Sequence, residues 1–369
     1  MSEIGEGQHS IETKTNIAIA QKALKELLFL NNQEKFTILK DQGTNSKTTE
    51  IIAKAANNIG SQVEIIEVPK KITKKEVIKI TKESKVVADL TTLEGTTAQF
   101  YEDELLEKNK YSLACLTELE PEVFDQGGIL DINPKEIEYI LGRFEAILKN
   151  AKGLQVKTSY GTNLEVGLRA FNERRWFKDD GKIQRGRWDN LLPAEIFTTP
   201  NEIKVNGILV LSALDSEIDS SQGVDEFVKL EIKDGIIVSI KGEKSAIILK
   251  KQLAKDIRKE KNPWNTLRVA EIAFGANPQA KGRVKSPFSS FDFEGFPTVE
   301  AEKTLGTIHI AFGDSKHGEK GTEGFEEARS HYDFVIPKPG LTVIVFNSET
   351  DFEEKKNGIN LISNGEVNI

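Results

Sequence analysis

A chain of 369 residues, 38% of them hydrophobic, is long enough for two domains with ordinary cores. Its 50 lysines and arginines against 58 acids leave a formal charge of −8, so nucleic acid is excluded as the main partner and a cytoplasmic enzyme acting on small molecules is expected. The single cysteine, Cys115, excludes an internal disulfide, and the absence of any apolar stretch of about 18 residues excludes a membrane span.

In chain order, residues 14–29 carry helical spacing, with Ile17, Ala20, Ala23, Leu24 and Leu27 on one stripe. A strand at Phe36–Leu39 leads to a helix over 46–59 that stops at Gly60. A strand at Val63–Ile66, a helix over 75–82 and a strand at Val86–Leu90 follow, then a helix over 101–108, a strand at Ser112–Leu116 and a helix from Pro134 to about Asn150. Cys115 lies inside the last of these strands and reads as a buried structural thiol. Alternating short apolar strands and amphipathic helices predict an α/β domain with a mostly parallel sheet over residues 1–150.

From Leu154 the pattern changes to strands separated by Gly, Asn, Asp and Pro: Gln155–Tyr160, Ile208–Ala213, Val228–Ile232, Ile236–Ile240, Thr307–Phe312, Asp333–Ile336 and Leu341–Phe346. Asp234-Gly235 is a hairpin turn, and 244–260 is the one clear helix. Residues 151–369 are therefore expected to form a β-rich α+β domain.

Chemistry concentrates in this second domain. Three of the four histidines, His309, His317 and His331, lie close together in a chain otherwise poor in imidazole. His331 and Asp333 stand two apart on a strand and so share a face, as do Thr307, His309 and Ala311 on another. Two histidines and a carboxylate from neighbouring strands form a facial ligand set with open positions. Glu195 and Glu271 each stand as a lone acid in an apolar run, and such an acid is either paired with a cation or bound to metal. Arg268, Lys281 and Arg283 are the nearby candidates for pairing. Together the five residues offer three carboxylates and two imidazoles, a set suited to zinc, cobalt or manganese and able to hold two ions with an activated water. Within that set Glu271 is the candidate to bridge metals or move a proton. His317, in the glycine-rich loop Asp314–Gly321, is either an exposed loop residue or a catalytic acid or base. Arg169, Arg174, Arg175, Arg185 and Arg187 precede Glu195 and suit a solvated charged loop or an oligomer contact better than a site for an acidic substrate.

The segments Asn190–Pro200, Glu271–Pro278, Gly306–Gly313 and Ser330–Asp333 resemble, in order and style, those of the thermophilic metallo-aminopeptidases of family M29. Gly161-Thr162-Asn163-Leu164 is also similar, although that family usually has Asp where Asn163 stands. The resemblance implies an N-terminal α/β domain, a C-terminal metal domain, a homodimer, and Glu195, Glu271, His309, His331 and Asp333 as metal ligands. It implies a hydrolase in which metal-activated water attacks a peptide or amide bond of a small or short-peptide substrate. Two positions depart from it. Thr304 stands where the peptidases carry a glutamate five residues before the first histidine, with Glu302 as a substitute only on a reshaped loop; Lys316 stands where they carry a catalytic tyrosine. The chain also resembles a divergent branch, the 2,5-dihydroxypyridine ring-cleaving dioxygenases, which implies one ferrous ion held by His309, His331 and Asp333. That branch tends to carry a histidine in its N-terminal domain, and this chain has none between His9 and His309. A non-catalytic binding module on the same fold is the remaining alternative.

Overall fold

The computed structural model describes residues 3–69, 71–91, 110–116, 119–213, 223–281, 298–316, 324, 327–336 and 340–369. Two compact units result, Met1–Pro134 with Asp180–Pro193, and Lys135–Asp179 with Ala194–Ile369. Set against an expected division near residue 150, the helix that begins at Pro134 falls with the second unit, and a later segment returns to the first. That return is not visible in periodicity, because it supplies only one three-residue strand.

The first unit holds helices α1 (Glu3–Glu26), α2 (Ser46–Ile59) and α3 (Lys74–Thr81) with strands β1 (Lys35–Lys40), β2 (Gln62–Glu67), β3 (Val86–Asp89), β4 (Ser112–Cys115) and β8 (Trp188–Asn190). The strands run parallel in the order β2-β1-β3-β4-β8, as expected for the α/β domain. Local chemistry sets the ends of its helices. The Asn45 side chain accepts the N–H groups of Lys47 and Thr48, and Gly60 takes the left-handed conformation (φ 88°) that closes α2. Thr73 and Glu76 form a reciprocal capping box on α3. One face of the sheet buries Leu39, Val87, Leu113 and Tyr111 against Val77 of α3. Cys115, at the end of β4, is only half-buried. The expected helix over 101–108 lies outside the described residues.

The second unit has two antiparallel sheets and the helices α4 (Pro134–Leu148), α5 (Lys244–Ile257), α6 (Thr298–Lys303) and α7 (Glu349–Glu354). The larger sheet comprises β5 (Gly153–Lys157), β6 (Asn163–Gly167), β10 (Val205–Ala213), β11 (Gly223–Lys233), β12 (Ile236–Lys241), β16 (Thr342–Phe346), β17 (Ile359–Ser363) and β18 (Glu366–Val367). Its β11–β12 hairpin turns at Asp234-Gly235, both with positive φ (50° and 73°). A Cβ on Gly235 would lie 1.9 Å from the Glu202 carbonyl oxygen, so only glycine fits. The smaller sheet, in the order β15-β14-β13-β9-β7, contains β7 (Phe177–Asp179), β9 (Glu195–Thr198), β13 (Val269–Gly275), β14 (Ile308–Gly313) and β15 (His331–Ile336). Phe274 of β13 packs on Phe144 of α4 and on Trp176, so the far face of this sheet is apolar core. Among the described residues no helix is long and apolar enough to cross a membrane.

Candidate metal centre

Strand register assembles the site. Across β13, β14 and β15, Glu271 stands opposite Ala311, and Ala311 opposite Asp333. His309 stands opposite Ala273, Gly313 opposite His331, and Glu195 of β9 opposite Gly275. Side chains in register share a face, and residues two apart on a strand share it too. The five acids and histidines therefore project from one face of one sheet. Ala311, between Glu271 and Asp333, contributes only a methyl group and leaves room for the carboxylates. A β-bulge between Val269 and Glu271 redirects β13 beside the centre.

His309 occupies the floor of the site, 2% exposed. Its Nε2 lies 3.0 Å from Glu271 Oε1 and 3.6 Å from both Glu195 Oε2 and Asp333 Oδ1. His331 Nε2 lies 3.4 Å from Asp333 Oδ1 and 3.9 Å from Glu271 Oε2. The His331 Nδ1–H donates to the Asp314 carbonyl oxygen at 2.7 Å, which fixes the tautomer and presents Nε2 to the centre. The His331 and Asp333 side chains are 29% and 21% exposed, so the centre opens to solvent on the β15 side.

The charge balance is that of a cation cage. Burial by itself would lower the His309 pKa, but its bond to Glu271 and the charges of Asp333, Glu195 and Glu302 push it up to about 10. Burial also opposes the charged form of His331, and Asp333 and Glu271 override it to raise that imidazole well above its ordinary value. Asp333 is lowered: burial works against its charge, and the field and hydrogen bond of His331 prevail. Glu195, Glu271 and His309 offer ligand atoms within 4.8 Å of one another. Glu195 Oε2 is buried without a hydrogen-bond partner among the described residues. An acceptor oxygen left bare beside the His309 imidazole and the Glu271 carboxylate fits a divalent cation.

One residue at the site escapes the sequence reading. Lys303 is 2% exposed, and its Nζ lies 2.5 Å from Glu195 Oε1 and 3.6 Å from Asp179 Oδ2. Burial would drive its proton off, but the two carboxylates hold it charged. Arg268 instead donates to the carbonyl oxygens of Glu202 and Asp234, Lys281 meets Glu300 through its backbone N–H, and Arg283 lies outside the described residues. Lys303 is brought in by a backbone crossing at Gly275, where a Cβ would lie 2.2 Å from the Thr304 carbonyl oxygen and 2.5 Å from that of Glu302. The Asn277 N–H donates to the Lys303 carbonyl oxygen there. A glycine ending a strand seven residues long was the available signal.

The same crossing accounts for Thr304. Thr304 points its hydroxyl into α6, bonding the Glu300 carbonyl oxygen, and Thr307 closes the turn on those of Ala301 and Thr304. This reshaped turn buries Glu302, whose carboxyl is pushed up to about 8, first by burial and then by the charge of Asp333. Lys316 is exposed and pairs with Glu327 at 2.7 Å, and His317 lies outside the described residues. Of the upstream arginines, Arg169 and Arg174 both bind Glu202 at 2.9 Å, and Arg185 binds Glu34 at 2.8 Å, so these three lock the fold.

Tyr332, between the two β15 donors, faces the opposite side. Its hydroxyl donates to Asp256 Oδ2 at 2.7 Å, and Gln252 Nε2 donates to both at 2.9 Å. Because β15 pairs on one side only among the described strands, this clasp to α5 holds its rotation and with it the aim of His331 and Asp333. Tyr332→Phe is expected to weaken metal binding about tenfold while costing about 1–2 kcal/mol of stability. Titration with Co2+ alongside urea unfolding checks both, and unchanged affinity would remove the clasp from the site.

Fold and donor set together define a class: a parallel α/β unit, and a unit of antiparallel sheets that gathers imidazoles and carboxylates on one face, where a metal ion could be held. Within that class the chain belongs to the 2,5-dihydroxypyridine 5,6-dioxygenase family, whose sequence model matches residues 132–338, more than half of its length. It is 29% identical over 139 residues to a Pseudomonas putida 2,5-dihydroxypyridine 5,6-dioxygenase, and the match spans 37% of each chain. Two solved structures share the fold: the 2,5-dihydroxypyridine dioxygenase from Pseudomonas putida (TM-score 0.68, 18% identity, 96% of this chain and 97% of that one) and wild-type AmpT from Thermus thermophilus (TM-score 0.67, 17% identity, 96% and 99%). At such identities these likenesses speak for the fold alone. The resemblance read from the sequence, to the M29 peptidases together with their dioxygenase-like branch, agrees with all three comparisons.

Proposed function

We propose that this chain is an enzyme with one divalent metal ion, iron in the working form, that opens a hydroxylated nitrogen-containing aromatic ring with dioxygen. The observation that carries this reading is the Lys303–Glu195 pair. Two-ion hydrolysis would draw on Glu195, yet Lys303 holds its Oε1 at 2.5 Å and leaves only Oε2 for an ion. The ammonium supplies one positive charge in place of a second ion. His309, His331 and Asp333 remain as a facial set, with Glu271 facing the Nε2 atoms of both histidines. Family membership supports the same reading, as do Thr304 and Lys316 at the positions where peptidases carry a glutamate and a tyrosine.

When bound, ferrous iron supplies the redox chemistry that lets dioxygen react with an electron-rich ring. The protein's own groups do the rest. The part-exposed His331 and Asp333 form the entrance through which a flat ring arrives. Glu271 Oε1 stands 3.0 Å from His309 Nε2, so the carboxylate and the imidazole turn their donor atoms to the same point. Lys303 holds Glu195 in place and neutralises it, and Glu302 keeps a proton on its carboxyl at neutral pH.

Anaerobic loading with Fe2+ followed by oxygen-electrode assays on 2,5-dihydroxypyridine tests the proposal. One iron per chain and substrate-dependent oxygen uptake are expected. Two zinc, cobalt or manganese ions per chain, with amino-acid release from a dipeptide and no oxygen uptake, would establish instead the aminopeptidase-like hydrolase. That second reading is favoured by one specific observation: Glu302 is buried among these donors as a protonated carboxyl, suited to serve as an acid in hydrolysis.

A further inference from the structure

The strand order β2-β1-β3-β4-β8 of the first unit is doubly wound: the chain steps outward from β1 to β2, then crosses back to place β3 on the other side of β1. In open α/β sheets the crevice beyond the carboxyl ends of the two strands flanking that reversal is where ligands bind. Here those strands are β1 and β3, and each ends in an aspartate. Asp41 directly follows β1 and is 2% exposed; Asp89 is the last residue of β3 and is fully buried.

Asp41 Oδ1 accepts the N–H groups of Gly43 and Thr44 at 2.9 and 3.0 Å, fixing the turn that enters α2. The Thr44 hydroxyl ties the two strand ends together, 3.1 Å from Asp41 Oδ1 and 2.8 Å from the Leu90 carbonyl oxygen. Asp89 Oδ1 accepts both the N–H and the hydroxyl of Thr91, at 2.9 and 2.7 Å, which locks its rotamer. Its other oxygen, Oδ2, is buried with no hydrogen-bond partner among the described residues. Burial pushes the Asp89 carboxyl up to about 7, and the charge of Asp41 adds to that rise. A fold that keeps such an arrangement at its switch point has a use for positive charge there.

We propose that Asp41 and Asp89 form a second cation site, made of oxygen ligands alone, that takes a hard divalent ion such as Mg2+. Among the described residues the acceptors gathered there are oxygens: two carboxylates, the Leu90 carbonyl and the Thr44 hydroxyl. Oxygen sets favour Mg2+, Mn2+ or Ca2+, whereas the imidazoles of the other centre favour transition metals. The site lies wholly within the first unit, so its role is independent of the reaction assigned to the histidines.

The test is thermal unfolding of the full chain, stripped with chelator and then titrated with Mg2+, comparing wild type with Asp89→Asn. The amide matches the carboxyl in shape and removes its charge. In wild type the first-unit transition is expected to rise by about 5 °C at a hundredfold excess over Kd. The Asp89→Asn protein should show no rise and should already be the more stable of the two without the ion. A wild-type transition that ignores Mg2+, or an Asp89→Asn protein that responds equally, overturns the proposal. Should Asp89→Asn fail to fold, Asp41→Asn gives the same comparison.

Discussion

Replacing Lys303 with methionine is expected to destabilise the metal-free protein by about 3–5 kcal/mol and to raise its capacity for divalent ions from one per chain to two. The first effect follows from removing one partner of a buried pair: methionine fills the volume of the lysine stem, but Glu195 and Asp179 are left charged and uncompensated. The second follows from the same vacancy. With the ammonium gone, both Glu195 oxygens become available, and a second ion restores the lost positive charge, so excess Zn2+ or Mn2+ should recover most of the lost stability. Urea unfolding with and without metal, together with ion counting on desalted protein, reads both effects. A Lys303→Met protein that is as stable as wild type and still holds a single ion would show that the lysine has no part in setting the ion number.

Metal affinity is expected to rise steeply with pH, through the neutral range and beyond. Without metal both imidazoles hold their protons, His309 up to about pH 10 and His331 well above its ordinary value. A cation binds only the deprotonated ring, so each proton displaced adds a tenfold gain in apparent affinity per pH unit. Two displaced protons would give a slope of two in a plot of log affinity against pH, measurable by competition with a chelator. Stability of the metal-free protein should run the opposite way. The His309 pKa is raised above its unfolded value of about 6.5, so its contribution is complete below that pH and is lost as pH climbs through about 10. Loading with metal should reverse this trend. A flat affinity profile between pH 6 and 8 would mean that the histidines do not give up protons to the ion.

The elements built on strong periodicity were legible in the sequence. The helix over 46–59 with its stop at Gly60 and the Asp234-Gly235 hairpin stand in the structure where the residues place them, because a helix cap and a two-residue turn are decided within a few positions. The return of Asp180–Pro193 to the first unit and the short strands β7, β8 and β9 were not legible. Strands of three or four residues carry no usable period, and their pairing depends on partners far along the chain.

For the site, the sequence by itself determined which side chains have chemistry to offer: two histidines at alternate-face spacing with a carboxylate, and two acids embedded in apolar runs. Strand periodicity is a local property, so it could place His331 beside Asp333 but could not say what stands opposite them. Only the tertiary structure decided that Glu271 faces Asp333 across Ala311, that Lys303 rather than an arginine neutralises Glu195, and that Glu302 turns inward seven residues before His309. Those are matters of register and of a backbone crossing at Gly275, and both are set by contacts between strands that the chain joins only through long connections.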